Sequence, residues 1–340
     1  MPLTSAQLDR AVGAVIASAA GDALGSQYEF GPSLPDTTIP EFGVGHFGHG
    51  VGEWTDDTSM AIPILQVLAD GHTLEDPATL AEIVQSWRRW SLSAMDVGIQ
   101  TRGILSSIPS DASAEHATTA ARLAHERLGR SGGNGSLMRT GPVALGYLNR
   151  TPAELADAAG RVAQLTHWED DNVVACALWC LAIRHAILTG ELDMHAALRS
   201  LSEPRSGESK RPDPRPLSER SESKRPNALP PETATRWAQL IDEALAPGIH
   251  PRAFSDENGW VVRAFQGALA AVAGATSLVD AVQRAVRGGN DTDTVAAIAG
   301  ALAGAVYGAA AVPANWRAQL HGWPGIDADE LERLARRAVA

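Results

Sequence analysis

Apolar residues recur at helical spacing along almost the whole chain. Leu8, Val12, Ile16 and Ala19 or Ala20 fall on one face behind a Thr4/Ser5 cap. Ile62, Leu65 and Leu68 mark a second helix, expected to follow Thr58 and to end near Gly71. Pro63 lies early in it and is expected to kink it or shift its start. Further amphipathic stretches run at about 75–91, 114–129, 152–160, 170–189, 232–246, 257–274, 277–287 and 328–339. Only short extended pieces near 37–47 interrupt them. The pattern predicts an all-α protein.

Two stretches depart from simple amphipathicity. Residues 295–312, VAAIAGALAGAVYGAAAV, carry no charge and approach membrane-spanning length. Ala and Gly supply little transfer energy, and Asp291 and Asp293 stand at the mouth of the segment, so a buried central helix is expected and no membrane span. Gly300, Gly304 and Gly308 recur every four residues, a smooth stripe that another helix can approach. Residues 203–231 are rich in Pro, Ser, Arg and Lys, and ESKRP occurs at 208–212 and again at 222–226. Without an apolar face this reads as a flexible low-complexity insertion within one domain spanning 1–340, rather than as a basic tether to an anionic partner.

The chain has 340 residues, 44% of them hydrophobic, with few aromatics. Small apolar residues in periodic runs favour close-packed helices over a sheet. The net charge of −12 lacks the basic footprint of sequence-specific nucleic-acid binding. An anionic small ligand stays open, because cations and backbone N–H groups hold phosphate locally. Cys176 and Cys180, four apart on one helix, read as reduced core residues. Together with an N-terminus unlike a signal peptide, they fit a reducing cytoplasm.

Two acidic clusters far apart in sequence carry the chemistry. Gly52-Glu53-Trp54-Thr55-Asp56-Asp57-Thr58 and Gly288-Gly289-Asn290-Asp291-Thr292-Asp293-Thr294 each follow a Gly-containing loop and open an apolar helix. One reading is helix capping, for which Asp and Thr are good residues. One side chain suffices for a cap, however, and crowded like charges are costly unless a cation sits between them. If the two helix starts face each other, their oxygens could hold two hard divalent cations. Without Cys or His, the set suits Mg²⁺ or Mn²⁺ better than Zn²⁺. Gly132-Gly133-Asn134-Gly135-Ser136 could cradle a phosphate or be an ordinary turn. Asp22 and Glu29 are either surface acids or members of the same acidic centre. Met95-Asp96-Val97-Gly98 and Thr166-His167 complete the candidates, His167 with a structural reading beside the functional one.

In this order, GDALGSQYE at 21–29, GEWTDDTSMA at 52–61, MDVG at 95–98, GGNGSLMR at 132–139, TH at 166–167 and GGNDTDTVAAIAGALAGAVYG at 288–308 resemble the ADP-ribosylglycohydrolase family. The resemblance implies a compact all-α fold with a binuclear Mg²⁺ or Mn²⁺ centre in a cleft. It implies Thr55, Asp56, Asp57, Asp291, Asp293 and Thr294 as metal ligands, Asp293 bridging. It implies Glu29 and Asp96 as the acids nearest the scissile bond. It assigns Gly133, Asn134, Gly135, Ser136 and His167 to ADP-ribose. The expected activity is removal of ADP-ribose from protein side chains, arginine foremost. The alternatives are another ADP-ribosyl linkage or a non-catalytic relative. Trp168-Glu169-Asp170-Asp171 is more acidic than the family pattern. Phe47, Trp54 and Tyr307 are candidates to stack on adenine.

Overall fold

The computed structural model describes residues 3–203 and 229–340. Its helices are α1 Ser5–Gly25, α2 Asp56–Ala69, α3 Pro77–Ser91, α4 Ile99–Ser107, α5 Ala114–Leu128, α6 Gly141–Gly146, α7 Pro152–Gln164 and α8 Asp170–Thr189, then α9 Met194–Ser202, α10 Pro231–Ala244, α11 Val261–Ala273, α12 Leu278–Arg287, α13 Thr292–Tyr307, α14 Ala314–Arg317 and α15 Ala328–Ala338. A two-residue antiparallel pair, β1 His321–Gly322 and β2 Ile326–Asp327, is the one sheet among the described residues. The all-α expectation holds. The extended pieces expected near 37–47 form no strand. The hairpin at 321–327 is too short to show an alternating pattern.

Local chemistry explains the helix starts. Thr4 caps α1 through a reciprocal box with Gln7. α2 begins at Asp56, ahead of the expected Thr58, and Pro63 is accommodated within it. Residues 204–228 of the expected insertion lie outside the described residues. Its edges belong to the fold. Glu203 closes α9, Leu229 is buried with its N–H donating to the Leu201 carbonyl at 3.3 Å, and Pro231 opens α10.

The molecule is organised around α1 and α13, which run antiparallel in backbone contact. A Cβ on Gly304 would overlap the Gly13 carbonyl, one on Gly300 the Ala17 carbonyl and one on Gly21 the Ala296 carbonyl. A Cβ on Gly25 would overlap the backbone of Asp293. The glycine stripe seen on α13 therefore meets a matching stripe on α1. Gly308 continues the stripe, a Cβ on Gly13 of α1 overlapping its carbonyl carbon, and ends α13 with φ +85°. Because the helices are antiparallel, the C-terminal turn of α1, with Asp22, lies against the N-terminal turn of α13, with Asp293. Gly304→Val is expected to cost about 3 kcal/mol, because backbone and not a flexible side chain must move. An unchanged denaturation midpoint would contradict this packing.

α8 passes through the core, with Cys176 and Cys180 buried and unbridged. Among the described residues it is the helix long and apolar enough to cross a membrane, and 72% of its apolar window is buried inside the protein. The 295–312 segment forms the shorter α13 instead.

Candidate active site

The starts of α2 and α13 meet beside the end of α1. Neither helix is capped by its own N-cap side chain, Thr55 or Asp291. Asp22 reaches across from α1 to do this for α2. Its Oδ1 accepts from the Thr55 N–H (2.9 Å) and hydroxyl (2.8 Å), its Oδ2 from the Thr58 N–H (3.0 Å) and hydroxyl (2.6 Å). The capping reading of the first cluster therefore fails, and Asp56 and Asp57 are left for other work. On α13 the Thr294 N–H turns to Asp293 Oδ1 at 2.8 Å. The Thr292 hydroxyl donates to the Gly25 carbonyl at 2.9 Å, locking α13 to α1.

The turn before α13 has positive φ at Gly289 and Asn290. A Cβ on Gly289 would press into the Pro32–Ser33 backbone, so the turn needs glycine there. Asn290 N–H donates to the Gly31 carbonyl at 2.8 Å, and Phe30 N–H to the Asn290 carbonyl at 2.7 Å. These bonds fix the loop carrying Glu29 against the second acidic turn.

One oxygen each of Asp22, Asp57 and Asp293 lies within 4.8 Å of the others, and the same holds for Glu29, Asp96 and Asp293. Asp293 belongs to both groups. Asp56 and Asp291 stand beside them, Asp56 Oδ2 accepting from the Gly98 N–H at 3.3 Å. Asp57 Oδ1 and Asp291 Oδ1 are buried without a hydrogen-bond partner. Buried anionic oxygens of this kind are costly unless a cation completes them, so the cluster fits a metal site.

The electrostatics agree. Burial, then the neighbouring carboxylates, pushes Asp56, Asp57 and Asp293 well above the usual carboxylate range. Burial also raises Asp22 and Asp291, against the hydrogen bonds they accept. Glu29 is pushed up to about 9, by burial first and then by Asp96, Asp291, Asp56 and Asp22. Asp96 is raised by burial too, but His49 and Arg102 pull it back.

The glycine loop borders a cleft cavity of about 530 Å³ shared with Glu29, Asp96, Asp291, Asp293 and Thr294. Asn134 is tied inward, its amide donating to Asp291 Oδ2 at 2.7 Å and to the Asn258 carbonyl at 2.9 Å. Ser136 is placed differently from expectation. Its side chain is fully buried and accepts from the Asn172 amide of α8 at 2.7 Å, so its hydroxyl does not face the cleft. Gly133, Gly135 and His167 do line it. A Cβ on Gly133 would sit 3.2 Å from His167 Nε2, and one on Gly135 3.3 Å from Cε1. The glycines let the loop lie directly on the imidazole.

A relay sets the state of His167. The buried Arg139 guanidinium donates to the Thr166 hydroxyl oxygen at 2.6 Å, and that oxygen lies 2.7 Å from His167 Nδ1. Arginine has no acceptor, which leaves the Thr166 hydroxyl proton available to Nδ1. Burial, with Arg139 nearby, holds the imidazole well below its ordinary pKa. Burial thus favours the neutral imidazole, and donation from Thr166 would place its proton on Nε2 beside the glycine loop.

Of the three adenine-stacking candidates, Phe47 lines the cleft and packs edge-to-face on Phe30 at 6.1 Å. Trp54 is buried, its Nε1–H donating to the Trp323 carbonyl at 3.1 Å. Tyr307 ends α13, about 20 Å from Asp293 at 1.5 Å per residue. No sequence motif marks Phe30, Asn172 or Asn258, whereas Arg139 closes the glycine-loop motif without a role assigned to it. Asn258 Oδ1 accepts from the Asp291 N–H at 3.1 Å, and no sequence signal marks it.

A family model described as ADP-ribosylglycohydrolase matches residues 3–340. The ADP-ribosylarginine hydrolase Tri1 of Pseudomonas putida (strain GB-1) is 29% identical over 327 residues, covering 91% of this chain and 73% of the relative. The ADP-ribosyl-[dinitrogen reductase] glycohydrolase of Rhodospirillum rubrum is 26% identical over 340 residues, covering 97% and 94%. A solved structure titled ADP-ribosylglycohydrolase-related protein complex superimposes with a TM-score of 0.67 at 25% identity, covering 99% of each chain.

Proposed function

The chain belongs to the ADP-ribosylglycohydrolase family, and from that premise we propose that it removes ADP-ribose from arginine side chains of modified proteins, using two divalent cations, Mg²⁺ or Mn²⁺. The observation that carries the metal dependence is the pair of orphaned buried oxygens, Asp57 Oδ1 and Asp291 Oδ1, among crowded carboxylates. Asp57, Asp291 and Asp293, with Thr55, Asp56 and Thr294 at the same helix starts, would hold the cations. Asp22, its oxygens taken up by Thr55 and Thr58, would position the ligand-bearing start of α2. When bound, the cations supply charge stabilisation and anchorage for ribose hydroxyls.

The protein groups do the rest. His167 Nε2–H and the glycine-loop backbone hold the diphosphate. The bond from the ribose anomeric carbon to the guanidinium nitrogen breaks, its electron pair leaving with nitrogen. The leaving group starts as a cation, so it needs no prior protonation. Water adds to the carbon, which carries oxocarbenium character. Asp96, raised by burial with His49 and Arg102 offsetting part of the rise, is the base that takes the water proton. Glu29 converges with Asp96 and Asp293 at the reacting centre, where it can position the water. The proton taken from water ends on the departing guanidine.

The test is release of free ADP-ribose from ADP-ribosyl-arginine protein with added Mg²⁺ or Mn²⁺. Release only from serine- or nucleic-acid-linked substrates would overturn the arginine assignment. Thr166→Val is expected to raise KM about tenfold with kcat within twofold, because a diphosphate contact binds ground and transition states alike. Thr166→Ser should restore it. Steady-state kinetics on the three proteins decides.

A further inference from the structure

The cleft does not end at the acidic cluster. A second and larger cavity, about 780 Å³, meets it at Asp56, Met95 and Asp96. The two are lined by different chemistry. The first holds the glycine loop and His167; none of these borders the second. A glycosidic bond has a sugar side and a leaving-group side, and the carboxylate of Asp96 stands between the two spaces.

The outer wall of the second cavity is the β1–β2 hairpin. It is stitched to the segment leading into Thr55. His321 N–H donates to the Gly52 carbonyl at 3.2 Å, and Trp54 N–H to the His321 carbonyl at 3.0 Å. The Trp54 indole bonds the Trp323 carbonyl at 3.1 Å. The wall is therefore rigidly placed relative to Asp56.

Its lining is acidic and aromatic. Glu53 joins Asp96 there beside His49 and His321, while Asp327 caps α15 and Glu330 and Arg333 pair with each other. Glu53 Oε2 is held by the Gly50 N–H at 2.7 Å, which orients the carboxylate. Trp90 and Trp323 are among its lining residues.

We propose that this second cavity is the leaving-group subsite and that it selects a planar cation, the guanidinium of arginine, together with the flanking peptide. The proposal rests on the hydrolase reading above. A guanidinium stacks on indole and forks onto carboxylate, whereas a neutral serine hydroxyl gains from neither. The volume exceeds one side chain and leaves room for backbone on either side. The aglycone is thereby read by charge and shape before the bond is cut.

The experiment is calorimetric titration of agmatine, and of its neutral urea isostere, into the protein saturated with ADP-ribose. Agmatine should bind beside ADP-ribose and at least about tenfold tighter than the urea. Glu53→Gln should weaken agmatine about tenfold and leave ADP-ribose affinity within twofold; Trp323→Ala should do the same. Equal binding of the two probes, displacement of ADP-ribose by agmatine, or unaltered agmatine affinity in Glu53→Gln would each overturn the subsite. The Glu53 variant keeps the test decisive if Trp323→Ala loosens the hairpin. Agmatine binding is read without turnover, so failure to cleave ADP-ribosyl-arginine would defeat the hydrolase reading separately.

Discussion

Asp293→Asn is expected to lower turnover by at least about a thousandfold and to abolish tight divalent-cation binding. The metal-free variant should nevertheless melt higher than its parent. Asp293 alone belongs to both groups of converging carboxylates, so its loss removes the one ligand at the meeting point of the whole cluster. A metal contributes several kcal/mol of charge stabilisation in the transition state, and each 1.36 kcal/mol is about tenfold in rate. The stability gain has the opposite origin. Without cations, Asp293 is buried among Asp57, Glu29, Asp291 and Asp22, each of which disfavours its charge. The amide keeps the shape and removes the repulsion. A gain of about 1 kcal/mol corresponds to about 2–4 °C for a chain of this class. Calorimetric metal titration, single-turnover kinetics and melting in chelator check the three parts. Retained activity, or a lower melting point in chelator, would remove Asp293 from the centre. Substitution at Asp22 should differ, because four hydrogen bonds to α2 go with it. Asp22→Ala is expected to lose stability as well as activity.

The helices were legible wherever one face is apolar over several turns. The expected 170–189 stretch coincides with α8, and 114–129 and 277–287 agree with α5 and α12 to about a residue. α4 and α9, nine residues each, are too short for periodicity to separate them from loop. The acidic clusters were legible because several ligand-type residues crowd two helix starts. Asp22 was weighed only as one of two readings, since a lone acid between Gly21 and Gly25 looks like an ordinary helix end. Its role arises from packing: those glycines bring α1 against α13 and deliver the carboxylate to a helix start remote in sequence. Ser136 shows the converse. The loop reads as a phosphate cradle, but which way the hydroxyl points is decided by Asn172, on a helix the loop's own sequence does not mention.

Melting temperature should fall as pH rises in the metal-free protein and should do so far less when Mg²⁺ or Mn²⁺ is bound. The sign follows from proton counts. Stability changes with pH as the protons bound by the unfolded chain minus those bound by the native one. Glu29 has an ordinary value of 4.5 and is held at about 9 in the fold. Between those values the native state keeps a proton that the unfolded chain has released, so the difference is negative and stability declines. It is unaffected below the unfolded value and fully spent above the folded one. Asp57 and Asp293, raised in the same direction, steepen the slope. Each proton so held contributes at most about 1.4 kcal/mol per pH unit. Cation binding requires the ionised carboxylates, so it tightens over the same window. At 100 times the dissociation constant, bound cation adds about 2.7 kcal/mol. The metal-free and metal-loaded melting curves should therefore diverge from pH 5 toward pH 9. A divalent-cation shift that is constant across that range, or a metal-free protein that gains stability with pH, would show that these carboxylates are relieved by something other than a cation.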